Sequence, residues 1–161
     1  MSHAPASKRA FYDQAAAFCA WLEDDSHASF ERSVPLLAGR LGALYAAAVD
    51  LPDLTPDDHW PDAAEDYESS LPIRKAMEEL LGQHDRYWTV FDPQQREASV
   101  EASLADDITD IYRDLNAGLE LASAGRMDAA IWEWRNSFSR HWGRHAAEAI
   151  RALHALWTAE L

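Results

Sequence analysis

Two clusters in the C-terminal half bring together side chains whose types and spacing suit chemistry. The first is Asp106-Asp107-Ile108-Thr109-Asp110, followed by Asp114. Carboxylates one helical turn apart can share a divalent cation, which in turn can hold a diphosphate. This DDxxD spacing has no second acidic motif to pair with it. At about 100° per residue, Asp107, Asp110 and Asp114 line one edge of an apolar stripe rather than the outer face of a helix. Like charges so placed repel unless cations or arginines neutralise them.

The second cluster is His141-Trp142-Gly143-Arg144-His145. Histidines at i and i+4 put two imidazoles on one helix face, a workable geometry for zinc or iron. There is no HExxH. His145 falls inside the apolar stripe of its helix, beside Phe138 and Trp142, and His141 falls at its edge. A histidine in such a place is commonly a core residue with one hydrogen-bond partner. Combined, Asp107, Asp110, Asp114, His141 and His145 give a carboxylate and imidazole set between two bundle helices, a known solution for metal centres. The competing reading is an ion-pair seam, with the aspartates accepting hydrogen bonds from His141, His145 or an arginine.

Arg140, Arg144 and Arg151 form a third group, read as a solvated face or as an anion or partner patch. Nucleophilic catalysis finds no support, with no GxSxG and no cysteine beside a base. The lone Cys19 sits in Phe18-Cys19-Ala20-Trp21, the setting of a buried, inert thiol, and rules out an internal disulfide. The glycines are scattered singly, so no phosphate loop exists. Trp132, Trp134 and Trp142 at helical spacing read as core.

The elements that must position these residues are helices. Apolar residues at Phe11, Ala15, Phe18 and Leu22 predict a helix over residues 7–25, with Asp24-Asp25-Ser26 breaking it and capping the next. Leu37, Leu41, Leu44 and Ala48 predict a second over 29–49, with Pro35 as a kink or first-turn residue. Residues 50–68 carry three prolines, eight acidic residues and no Lys or Arg, and read as a surface loop with a short helical turn. A third helix is expected from Pro72, as N1 proline, to Gly82. The segment Tyr87-Trp88-Thr89-Val90-Phe91-Asp92-Pro93 is expected to dock on the bundle, since its large apolar residues are costly in water. No strands are expected beyond a lone edge strand there. A fourth helix is expected over 100–124, ended by Gly125 as the C′ residue, and a fifth over 127–159, antiparallel to it.

The fold class is therefore all-α: a four- to five-helix bundle with a long acidic loop and a docked aromatic loop, in one domain over residues 1–161. The net charge of −14 argues against nucleic-acid phosphates and anionic membrane surfaces. It suits solubility, a basic protein partner or divalent cations. No apolar run of signal-peptide or membrane-spanning length occurs, so a cytoplasmic location is expected.

Three stretches resemble a known family: Tyr87 to Pro93, Ser103-Leu104-Ala105-Asp106-Asp107-Ile108-Thr109-Asp110-Ile111-Tyr112-Arg113-Asp114-Leu115, and His141 to Ala146. With Trp132-Glu133-Trp134-Arg135, they are similar to the bacterial domain of unknown function 5063. The resemblance covers the C-terminal half, and the N-terminal half by helical pattern alone. It implies an all-helical bacterial protein of this size and brings no known activity or catalytic residue. The leading expectation is a non-enzymatic domain that binds a protein partner with a basic surface and needs no cofactor. The alternative is a metal-binding protein or metal-dependent enzyme using Asp107, Asp110, Asp114, His141 and His145 with a divalent metal.

Overall fold

The computed structural model describes residues 4–24, 27, 29–55 and 67–159, with side chains from residue 7 onward. Its helices are α1 (Ala4–Glu23), α2 (Phe30–Val49), α3 (Tyr67–Leu81), α4 (Leu104–Ser123), α5 (Met127–Ser137) and α6 (Gly143–Ala159). A π-helical turn, Phe138–Trp142, joins α5 to α6, so the last two run on as one interrupted helix. The expected all-α bundle is what forms. None of the described helices is long and apolar enough to cross a membrane. The centre of the acidic loop, residues 56–66, and the proposed caps Asp25 and Ser26 lie outside the described residues.

Each helix buries the stripe its sequence provides. Phe11, Phe18, Leu37, Leu41, Leu44, Leu104, Ile108, Ile111, Leu115, Trp134, Trp142 and Leu153 are all essentially inaccessible. They join one core between α4 and its neighbours α1, α3, α5 and α6, with α2 packed on α1 and α6. Fully buried aromatics dominate the middle. Phe11 lies 5.0 Å from Trp134 between ring centroids and 6.1 Å from Trp142. Trp134 Nε1–H donates to Leu115 O at 2.9 Å, so its one polar atom is satisfied inside the core. The Cys19 thiol is buried with them, and burial pushes its pKa far up, as expected of an inert cysteine.

Three element boundaries differ from the sequence reading. Pro72 is not the first residue of α3 but lies inside it, as Pro35 lies inside α2. Each is the sixth residue of its helix, where the carbonyl four residues back belongs to exposed Glu68 or Glu31 and can turn to water. α4 starts at Leu104, not at residue 100, because Ser103 caps it, its Oγ accepting from Asp106 N–H at 3.1 Å. And strands do occur: β1 (Arg86–Thr89) pairs antiparallel with β2 (Val100–Ser103), with Tyr87 opposite Ala102 and Trp88 opposite Glu101. Four residues per strand are too few to display an alternating pattern.

The hairpin is tied to the start of α4 by Asp85, which is buried. Its Oδ1 accepts from Ala105 N–H at 2.8 Å and Ser103 Oγ–H at 3.0 Å, and its own carbonyl accepts from Leu104 N–H at 2.9 Å. The period of two then sends Tyr87 inward and Trp88 outward. Docking of the aromatic segment is thus only partial: Tyr87 is packed against the core, whereas Trp88 is 62% and Phe91 68% exposed.

α4 and α5 approach closely because Gly118 faces Trp134. A Cβ there would stand 2.1 Å from Trp134 Nε1. Gly118→Ala is expected to destabilise the protein by about 1–3 kcal/mol through overpacking, read as a lower urea midpoint with unchanged slope. A midpoint equal to wild type would show that the helices can separate at no cost.

Candidate metal centre

All five residues singled out in the sequence converge on one seam between α4 and the π turn with α6. His145 Nδ1 lies 2.6 Å from Asp107 Oδ1, and His141 Nδ1 lies 2.8 Å from Asp114 Oδ2. An ionised carboxylate only accepts, so each Nδ1 carries the proton and donates it. In a neutral imidazole so bonded, Nε2 is the lone-pair position. Both Nε2 atoms face the same oxygen, Asp110 Oδ2, at 3.8 Å from His145 and 3.9 Å from His141. The ion-pair seam anticipated from sequence is therefore present: Asp107 and Asp114 pair with the imidazoles, and Asp110 pairs with Arg113. Asp110 is too far from either imidazole for a hydrogen bond.

Those distances suit something between the atoms. The three ligand atoms of Asp110, His141 and His145 lie within 4.8 Å of one another. Donors at about 2.0–2.2 Å from one ion stand roughly 3.0–3.5 Å apart. A side-chain adjustment of about half an ångström would put all three on one ion. Asp107 and Asp114 do not join this set; they occupy the outer positions, fixing ring orientation and tautomer from behind. The two rings meet edge to face at 4.8 Å between centroids.

Local backbone explains how two histidines come to point at one carboxylate. His141 lies in the π turn, in which Gly143 N–H reaches back five residues to Phe138 O. A Cβ at Gly143 would lie 2.4 Å from that carbonyl, so only glycine lets the turn close. Ser137 Oγ–H donates to Glu133 O at 2.8 Å and Ser139 Oγ–H to Arg135 O at 3.0 Å across the same stretch. These hydroxyls serve carbonyls near the turn, where the α-helical ladder is interrupted.

Charge surrounds the site unevenly. Asp107 is only 4% exposed, and its second oxygen accepts from Tyr87 Oη–H at 2.5 Å. The same hydroxyl stands 3.5 Å from Glu148 Oε2. Arg113 donates to Asp110 and lies over the Tyr67 ring at 4.4 Å. Four carboxylates thus face one directly paired guanidinium and, at 4.0 Å from Glu148, a second from Arg144. A divalent cation would offset this excess. His141, with its side chain 44% exposed, opens the seam to solvent.

Sequence reasoning missed Tyr87, Glu148 and the π turn. In the sequence Glu148 is one acidic residue four positions after Arg144, and Tyr87 one of several large apolar groups. Neither pattern reveals an oxygen that completes a buried carboxylate across three elements. Of the arginine group, Arg144 and Arg151 lie against the hairpin, with Arg151 Nη2–H donating to Trp88 O at 2.8 Å, while Arg140 is exposed.

Burial, reinforced by the Asp107 hydrogen bond and charge and by Glu148, holds the Tyr87 phenol well above its ordinary range. The neutral phenol is the favoured form in the fold. The stability this supplies is present in full below the unfolded value of about 10 and is lost as pH rises beyond it. Tyr87→Phe is expected to cost about 1–3 kcal/mol at neutral pH by depriving Asp107 of a donor. It is also expected to flatten the decline of the urea midpoint above pH ~10. A variant whose alkaline decline parallels wild type would contradict the network.

A family model described as a domain of unknown function, DUF5063, matches residues 4–159. The fold is similar to that in the crystal structure of protein BF1032 from Bacteroides fragilis. That chain is 24% identical and superposes with a TM-score of 0.77 over 91% of this chain and 89% of its own. At that identity the likeness speaks for the fold. No curated protein matches the chain.

Proposed function

The chain belongs to the DUF5063 family, and we propose that it is a metal-binding protein holding one divalent transition-metal ion between α4 and α6. Asp110 Oδ2 and the Nε2 atoms of His141 and His145 supply the ligands. Asp107 and Asp114 hold the imidazoles from behind. The single observation that carries the reading is that both Nδ1 atoms are bonded to carboxylates while both Nε2 atoms face a third. In metal-ligating histidines the outer hydrogen bond fixes the tautomer and raises ligand basicity. An ion-pair seam accounts for the two outer contacts and for Asp110 on Arg113, but not for two inner nitrogens turned toward that same carboxylate.

The donor set indicates the metal class. Two imidazoles and one carboxylate suit zinc, iron(II) or manganese rather than calcium or magnesium. Three protein ligands leave coordination positions for water or a substrate oxygen, on the side where His141 meets solvent. A metal-dependent activity at those positions would use the ion as a Lewis acid or as a source of hydroxide. The reading of a protein-interaction domain draws on the net charge of −14 and on the lack of a catalytic motif in the sequence. Among the described residues no group of contacts singles out a surface for a basic partner, so the metal reading ranks first.

Calorimetric titration of chelator-stripped protein with Zn²⁺, Co²⁺ or Mn²⁺ tests it. One ion per chain is expected for at least one of these. His141→Ala, His145→Ala and Asp110→Ala should each lower affinity by about 100-fold or more, and Asp107→Asn or Asp114→Asn by roughly 10–100-fold. Failure of all three metals to bind, or ligand variants that bind as wild type, would refute the assignment.

A further inference from the structure

A cleft beside α6 is lined by none of Asp110, His141 and His145. It is a groove of about 410 Å³ that runs between the segment after β1 and α6. That volume lies in the range of small-ligand pockets, about 300–1,000 Å³. Val90, Phe91 and Pro93 form one wall, and Arg144, Ala147 and Arg151 the other. We infer that this groove binds a small organic anion with a flat apolar body, its charge taken by Arg144 and Arg151.

Three features support the assignment. The first is the exposure of the aromatic wall. Phe91 is 68% and Trp88 62% exposed, although the sequence places them beside residues that do pack on the core. Adjacent large aromatics left open to solvent mark a contact surface rather than a packing defect. They are also held in place. Arg144 lies over the Phe91 ring at 4.8 Å, and Arg151 Nη2–H donates to Trp88 O at 2.8 Å.

The second is local charge. The chain carries −14 overall, yet the ionisable groups lining this groove are two arginines and one glutamate. The glutamate, Glu148, faces inward to Tyr87 Oη at 3.5 Å, and Arg144 Nη1 approaches it only to 4.0 Å. The groove therefore reverses the sign of its surroundings, which suits an anion.

The third is donor supply. A guanidinium offers five N–H donors in a planar fork matched to a carboxylate. Arg151 makes one hydrogen bond here, to the Trp88 carbonyl, and Arg144 contacts a ring face. A flat apolar body lying along Phe91 and Val90 would carry its carboxylate to the arginine wall. This inference stands apart from the metal reading, since neither Arg144 nor Arg151 is a proposed ligand.

The test uses the full chain, stripped of metal by chelator, with 2-naphthoate and its uncharged amide as probes. Binding is followed through the Trp88 indole resonance, assigned with Trp88→Phe. Naphthoate should shift that resonance saturably, and the amide should bind about tenfold more weakly or worse. Arg144→Gln and Arg151→Gln, both at exposed positions, should each weaken naphthoate by about fivefold or more. Equal binding of acid and amide, a stationary Trp88 resonance, or arginine variants that bind as wild type would overturn the inference. None of these outcomes depends on whether the metal centre loads.

Discussion

A carboxylate sits where a core residue would be. Asp107 is 4% exposed, and an ionised carboxylate in that setting is costly unless each oxygen has a donor. One oxygen takes the His145 imidazole and the other takes the Tyr87 hydroxyl. Those two donors come from α6 and β1, so satisfying Asp107 fixes the rotation of α6 against α4 and the seating of the hairpin. The hairpin is pinned a second time by Asp85 at the cap of α4. Together the two buried aspartates explain why a two-stranded element, marginal alone, persists beside a helical bundle.

The same constraint prepares the proposed metal centre. With the Nδ1–H groups donating to Asp107 and Asp114, the Nε2 atoms have no protein partner within hydrogen-bond distance among the contacts of the seam, and Asp110 lies beyond reach of both. The π turn contributes the second histidine at the required angle, and Gly143 allows that turn because no side chain could share space with Phe138 O. Arg113 on Asp110 keeps the third ligand compensated without an ion. In the proposed centre the cost of assembling three donors would thereby be borne by buried packing rather than by the ion, which is the usual route to a preorganised site.

Much of this was legible in the residues. The stripes at Leu104, Ile108, Ile111 and Leu115 and at Ile131, Trp134, Trp142 and Leu153 report the helical period directly, and the structure buries them as that period requires. The meeting of Asp107, Asp110 and Asp114 with His141 and His145 followed from two adjacent antiparallel helices. The resemblance in the C-terminal half extends, in the family match, to residues 4–159. Less legible were features set by contacts distant in sequence. Four-residue strands carry too little pattern, and Pro72 reads as a helix start although an exposed carbonyl makes an interior position tolerable. The division of labour among the aspartates also depends on distances of a few tenths of an ångström. Spacing put three carboxylates on one edge but could not say that two stand behind the imidazoles and one in front.

The central claim is that the inner nitrogens, not the outer ones, are built to hold an ion. Anomalous diffraction from crystals grown with Co²⁺ tests it most directly. One strong peak is expected at about 2.0–2.2 Å from Nε2 of His141, Nε2 of His145 and one Asp110 oxygen, with both Nδ1 contacts to Asp107 and Asp114 retained. A peak on either Nδ1, a peak elsewhere on the acidic surface with the seam unchanged, or no peak at all would contradict it.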